Sequence, residues 1–249
     1  MEHTITLELE GITKTYKNGR GVKDISFTLA PGEVLGLLGP NGSGKTTIMK
    51  AIIGLIFPDK GDIRICGINA LAHHEAAMRH TASLIESPGL HEHLTPLQNL
   101  KLAADFYKDI ENSWIDEVLR MVGMYEYRRD KVSSLSLGMR QRIGLALTLI
   151  SRPKLLILDE PANGLDIEGM LYVREVVKAA AASGSSVLIS SHLASEIQNC
   201  ATKAAVMHSG KMLDIKSMDE ILSLHEGLEE FFLSSAQKAR GGTATDELF

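Results

Sequence analysis

At 249 residues, the chain is long enough for one large domain, or one domain with a subdomain, and for a sizeable core. Hydrophobic residues at 44% and charged residues at 23% are ordinary for a globular protein, and a formal charge of -5 argues against a nucleic-acid binder. No stretch approaches the roughly 18 apolar residues that span a bilayer, so no membrane-spanning helix is expected.

Met1-Glu2-His3-Thr4 carries no basic region and no long apolar run follows, so no signal peptide is expected. Ile5, Leu7 and Leu9 alternate with polar residues, as do Ile25, Phe27 and Leu29, with Lys17-Asn-Gly-Arg-Gly21 between. Period two around a turn predicts antiparallel strands. Val34–Leu38, bounded by Pro31-Gly32 and Gly39-Pro40, predicts a buried strand. A helix is expected from Thr46 to Ile53, ending near Gly54 and Pro58, and a strand closes at Leu84-Ile85 before Pro88-Gly89.

Helical spacing takes over in Leu97, Leu100, Leu102-Ala103 and Phe106, then in Ile115, Val118-Leu119 and Val122, so a helical insertion is expected from Pro88 to about Ser151. Strands resume at Leu155–Leu158 and Val187–Ile189 around an amphipathic helix near Met170–Ala182, the order of a parallel sheet. Ala204–Met207 and Met212–Ile215 around Ser209-Gly210 read as a hairpin, and the polar stretch from Ala239 to Asp246 as a mobile tail. No internal repeat is visible.

Gly39, Pro40, Asn41, Gly42, Ser43, Gly44, Lys45 and Thr46 match GxxxxGK[ST] between a strand and a helix start. Glycines let backbone N–H groups turn inward around phosphate oxygens, and the helix N-terminus adds unpaired donors. Lys45 is expected to reach the β- and γ-phosphates, and the Thr46 hydroxyl to ligate Mg²⁺. Asp159 and Glu160 emerge at the carboxyl end of Leu155–Leu158, where open α/β sheets place ligands. Asp159 is the expected Mg²⁺ holder and Glu160 the residue that orients or deprotonates water, although acids at strand ends are also common solvated turn residues. Ser136, before a long apolar helix, is a helix cap, and caps coincide with anion-binding helix ends.

With these motifs in this order, the chain resembles the nucleotide-binding subunit of an ATP-binding-cassette (ABC) transporter over residues 5 to 215. Leu135–Met139 stands where that family has LSGGQ, and Gln141-Arg142 continues it. Asn163-Gly-Leu-Asp166 matches the D-loop, His192 after Ser190-Ser191 the switch histidine, and Tyr16 the aromatic that stacks on adenine, with a packed core aromatic as the other reading of Tyr16. The resemblance implies ATP and Mg²⁺ as cofactors, with Thr47 and Asp166 also at the nucleotide. It implies two copies meeting head to tail, so that Ser136 and the Gly138 N–H reach a γ-phosphate across the interface, which His192 contacts from its own subunit. The implied partners are transmembrane permease subunits, on the cytoplasmic face of the membrane, with no nucleic acid.

The implied fold is α/β: a P-loop NTPase-like parallel-sheet core with an N-terminal antiparallel β subdomain and a helical subdomain insertion. One cassette fills 1–249, with the core and β subdomain at about 1–87 and 152–220, the helical subdomain at about 88–151 and a tail at about 221–249.

Two departures stand out. Leu137 and Met139 replace Gly and Gln in the signature, leaving Ser136 and Gly138. Glu86, in Ile85-Glu-Ser-Pro88, stands where most cassettes have the Gln that senses Mg²⁺ and the permease, which makes Glu86 a third candidate metal ligand beside Thr46 and Asp159. Ile85–Pro88, with Leu94-Thr95 and Asn99-Leu100, resembles the subgroup that exports or confers immunity to peptide antibiotics of the lantibiotic and bacitracin kind. Multidrug exporters share several of these residues, and a soluble ABC ATPase outside transport is the competing reading.

His73, His74, His80, His91 and His93 have no zinc-motif spacing and read as solvated loop residues, and Trp114 as packing in the insertion. Cys66 and Cys200 form no CxxC pair and read as reduced thiols of a cytosolic protein.

Overall fold

A computed structural model describes residues 5–239. β1 (Leu7–Thr15) and β2 (Gly21–Leu29) pair antiparallel, with Leu7 opposite Leu29 and Leu9 opposite Phe27. The register shifts between Leu9 and Ile12, where Gly11 takes a φ of 61°. This bulge moves the inward face by one position, so Ile12 is buried with Leu7 and Leu9.

β3 (Val34–Leu38) is buried on both faces. Val34 and Leu38 point into one core, Leu35 and Leu37 into a second. α1 (Lys45–Ile52) starts one residue earlier than the spacing predicts. β4 (Lys60–Ile65) and β5 (Ile68–Asn69) have too few apolar residues to be read from alternation, yet β4 pairs with β1 and extends the antiparallel sheet. After α2 (His74–Met78), β6 (Thr81–Leu84) ends one residue before Ile85.

α3 (Pro96–Ala104), α4 (Asn112–Met121) and α5 (Leu137–Leu149) lie in the segment expected to be helical. Thr95 and Gln98 close a reciprocal capping box at the start of α3, and the Ser136 hydroxyl caps α5. Trp114 packs α4 against the end of α5: its Nε1 donates to the Ile150 carbonyl at 3.2 Å, and Arg152 lies over the ring at 4.2 Å.

β7 (Leu155–Asp159) is followed by α6 (Ile167–Ala182), which begins three residues before Met170 because Asp166 caps it, accepting from Gly169 N at 2.8 Å. β8 (Ser186–Ser191) runs past Ile189 and keeps two serines buried at its end. After α7 (Ala194–Gln198), β9 (Lys203–His208) and β10 (Lys211–Ser217) form the expected hairpin, with Ser209 and Gly210 both at positive φ.

Two helices follow where the sequence suggested only a tail. α8 (Met218–Leu224) is capped by Ser217 and Glu220, and α9 (Leu228–Ala239) buries Leu228, Phe231 and Ala236. Leu228 and Phe231 join the core that contains Leu156 and Val206. The stretch expected to be mobile lies outside the described residues beyond Ala239.

The six-stranded sheet has the order β10-β9-β3-β8-β7-β6, parallel from β9 to β6 with β10 antiparallel at one edge. The four-stranded sheet, β2-β1-β4-β5, is antiparallel throughout. α1 and the smaller sheet share one core with Leu155 and Ile157; α5 and α6 share the other with Leu156 and Leu158. Period-two side chains on a sheet covered on both faces produce this division. The carboxyl ends of β3, β6, β7 and β8 consequently deliver their following residues to one edge of the sheet.

Candidate nucleotide-binding and catalytic site

The chain leaves β3 at Leu38 and turns through Gly39–Gly44 into α1. A Cβ on Gly39 would stand 2.3 Å from the Met207 carbonyl oxygen, so no larger residue fits without moving β9. Gly42 and Gly44 take φ of 80° and 109°, a region that strains other residues. Gly44 starts α1 without a side-chain cap, so the first-turn N–H groups remain open. Among the described residues, Ser43 Oγ is buried with no partner. Open donors on a helix N-terminus, with an orphaned hydroxyl beneath them, fit an anionic group such as a polyphosphate. Lys45 is almost fully buried and curls back over the loop, donating to the Gly39 carbonyl at 2.7 Å and the Pro40 carbonyl at 3.3 Å.

Glu160 stands beside that ammonium, with Oε1 3.3 Å from Lys45 Nζ. Its other oxygen, Oε2, lies 2.9 Å from His192 Nδ1. Glu160 sits one residue past β7 at a φ of 46°, a strained conformation for a non-glycine residue. Register explains how it is held. Asp159 and Ser190 are directly paired across β7 and β8. Ser190 Oγ donates to Asp159 Oδ1 at 2.6 Å and accepts from the Glu160 N–H at 2.9 Å. The other Asp159 oxygen accepts from Thr46 Oγ1 at 2.7 Å. Thr46 and Asp159 thus form a pair of hard oxygen donors at the cleft, which fits Mg²⁺, an ion that takes one or two protein oxygens and completes its shell with phosphate and water.

Glu86 behaves differently. It follows β6 at a φ of 63° and its carboxylate pairs with Lys50 Nζ at 2.6 Å. Hydrogen bonding to Glu86 is the main reason that the Lys50 ammonium holds its proton above its ordinary range. Glu86 still lines a cleft with Thr46, Asp159, Glu160, Leu137 and Gln141. The structure therefore joins Thr46 to Asp159, and turns Glu86 toward a lysine.

Tyr16 lies in the β1–β2 loop, held by its N–H to the Arg20 carbonyl at 2.8 Å. It is 38% exposed and lines a cleft of about 360 Å³ with Arg20 and the residues from Asn41 to Thr47, so it is not a core aromatic. Ser136 and Gly138 line neither this cleft nor the one beside Glu86. The Ser136 hydroxyl accepts from Met139 N at 3.2 Å, and a Cβ on Gly138 would stand 3.3 Å from Leu165 of the loop before α6. Asp166 likewise serves as the α6 cap and lines neither cleft. Sequence reasoning missed two residues. The double role of Ser190 had no local signal beyond the paired serines, and Lys50 had only its four-residue spacing from Thr46.

Among the described residues, no three of His, Cys, Asp or Glu are grouped to hold a metal. His73, His74 and His80 share a separate cleft, and the rings of His91 and His93 meet edge to face at 5.9 Å. Cys66 and Cys200 are free, and burial pushes the Cys200 thiol up to about 11. No helix among the described residues is long and apolar enough to cross a membrane.

An anion cradle between strand and helix, with acids delivered by neighbouring parallel strands, defines a P-loop NTPase-type nucleotide hydrolase. The chain belongs to the ABC transporter family, which it matches over residues 22–163, and it is an ATP-binding ATPase of that family. It is 36% identical over 240 residues to the bacitracin transport ATP-binding protein BcrA of Enterococcus faecalis, covering 96% of this chain and 77% of that protein. It is 35% identical over 226 residues to the lantibiotic transport ATP-binding protein SrtF of Streptococcus pyogenes, covering 91% of this chain and 95% of that protein. A solved ATP-binding subunit of an ABC transporter superposes with a TM-score of 0.83 at 28% identity, over 93% of this chain and 99% of that one.

Proposed function

We propose that this ATPase powers a separate transmembrane permease that exports, or confers immunity to, antimicrobial peptides. Two copies close head to tail on ATP at the cytoplasmic face of the membrane. The observation that carries the reading is the line from His192 through Glu160 to Lys45, set beside the Thr46–Asp159 pair. The relatives named for bacitracin and lantibiotic transport support the peptide-antibiotic substrate class.

Each residue has a role in this reading. The loop Gly39–Thr47 and Lys45 bind the β- and γ-phosphates, and Tyr16 stacks on the adenine. Thr46 and Asp159 would hold Mg²⁺, which when bound neutralises charge on the phosphate oxygens. Glu160 accepts the proton of the attacking water, and His192 orients it through Nδ1. Ser136 and the Gly138 N–H act on the γ-phosphate held by the other copy, which accounts for their place outside this chain's own clefts; Asp166 serves the same interface. Glu86 reports the metal-phosphate state to the permease. The whole of 1–249 forms one cassette, with the helical segment of about 88–151 receiving the permease.

The test is reconstitution with a permease in vesicles, measuring phosphate release with and without bacitracin or a lantibiotic. Peptide-stimulated release that Glu86→Ala reduces severalfold, with ATP binding retained, is the expected outcome. Hydrolysis indifferent to every permease and peptide would point instead to an ABC ATPase outside transport.

A further inference from the structure

We propose that Lys50 is a positioning residue of this ATPase: from α1 it holds Glu86 at the edge of the cleft, leaving the Thr46–Asp159 pair clear for the metal. This rests on the proposed metal-sensing role of Glu86, but its first test does not depend on that role.

Two rungs between α1 and the sheet carry the argument. Thr46 and Lys50 are four residues apart on α1 and so share one face of the helix. β6 and β7 lie side by side in parallel register, with Leu84 opposite Leu158. The first residue past that pair on β7 is Asp159, which takes the Thr46 hydroxyl at 2.7 Å. The second residue past it on β6 is Glu86, which takes the Lys50 ammonium at 2.6 Å. One helix face therefore meets the two neighbouring strand ends one turn apart.

Charge and strain give Lys50 its task. Glu86, Asp159 and Glu160 line one cleft, and each carboxylate there has a partner of its own. Glu160 has Lys45, and Asp159 has two hydroxyls; Glu86 has Lys50. Glu86 also sits at a φ of 63°, which persists only where surrounding contacts hold it. Its side chain is 68% exposed, so the pair is weak and reversible, as a holder that must release its carboxylate requires.

The experiment is hydrogen exchange on the nucleotide-free full-length chain. Lys50→Met should speed exchange at residues 85–87 by roughly two- to fivefold, the range an exposed ion pair supports. Lys50→Arg should restore the wild-type rate. Adding Lys50→Met to Glu86→Gln should change little, because the charge that Lys50 holds is already gone. A second readout is equilibrium binding of a fluorescent ATP analogue during Mg²⁺ titration, in a Glu160→Gln background that does not turn over. There Lys50→Met should lower the half-saturating Mg²⁺ concentration by about the same factor, by freeing Glu86 for the metal. Should Lys50→Met prove unstable, the charge-swapped pair Lys50→Glu with Glu86→Lys serves in its place and should exchange as wild type. Unchanged exchange in Lys50→Met, or equal acceleration in the Glu86→Gln background, overturns the proposal. Nucleotide binding indifferent to Mg²⁺ in the Glu160→Gln protein would instead overturn the metal-site reading, with the exchange rates still deciding whether Lys50 holds Glu86.

Discussion

His192 Nδ1 and Glu160 Oε2 lie 2.9 Å apart, although they are separated by 32 residues in the chain. The carboxylate accepts, so the imidazole donates from Nδ1 and the tautomer is set by the contact. This leaves Glu160 with one oxygen committed to His192 and the other facing Lys45 at 3.3 Å. Replacing the carboxylate by an amide keeps the shape and removes the proton acceptor. Glu160→Gln is expected to bind ATP and lose on the order of 100-fold or more in hydrolysis. Phosphate release and size-exclusion chromatography with ATP should show a stalled dimer; normal turnover would assign the water to another group.

The signature is tested in that stalled protein. Ser136→Arg places a bulky cation where the proposed dimer brings the other copy's phosphates. The change also removes the α5 cap, at a cost of about 1 kcal/mol, so a thermal melt must first show a folded chain. ATP-driven dimerisation of Glu160→Gln should then disappear while monomer nucleotide binding persists. A dimer that survives would exclude the cross-subunit arrangement.

Ser190 is fully buried and serves both acids, donating to Asp159 and accepting from the Glu160 N–H. Ser190→Ala strips a partner from each. Stability should fall by about 1–3 kcal/mol in urea denaturation, since two polar groups are left short inside the protein. Hydrolysis should fall with it, because Glu160 loses the contact that steadies its strained backbone. A variant with wild-type stability would make the Ser190 bonds incidental.

Cys200 supplies a pH dependence. Burial raises its thiol to about 11 in the folded chain, from an ordinary value of 9.0. The folded state therefore keeps a proton that the unfolded state gives up, and stability falls as pH rises between those values. Denaturation at pH 7.5 and pH 10 should show a larger loss for wild type than for Cys200→Ser. Equal losses would mean that the thiolate is solvated in the fold.

The phosphate loop was legible because everything it needs is local. Glycines at fixed offsets, a lysine, a hydroxyl and a flanking strand and helix all lie between Val34 and Ile52. Leu155–Asp159 was legible for the same reason: four apolar residues and an acid name a buried strand and the carboxylate at its end. Caps such as Thr95 and Ser136 are local too, being written in two to four adjacent residues. α9 was not legible, because a short amphipathic segment becomes a packed helix only when a core is present to receive Phe231.

The contacts that turn motifs into a site belong to the tertiary structure alone. Thr46 meets Asp159 across 113 residues, Ser190 meets Asp159 across 31, and Lys50 meets Glu86 across 36. None of these pairs has a spacing that periodicity could reveal. They exist because β7 lies between β6 and β8 in parallel register, which brings the ends of β6 and β7 to the face of one helix and the end of β8 beside Asp159. Residue types and local order set which chemistry was available. Strand order set which carboxylate faces a hydroxyl, which a histidine and which a lysine, because side-by-side register is a long-range property that no short segment contains.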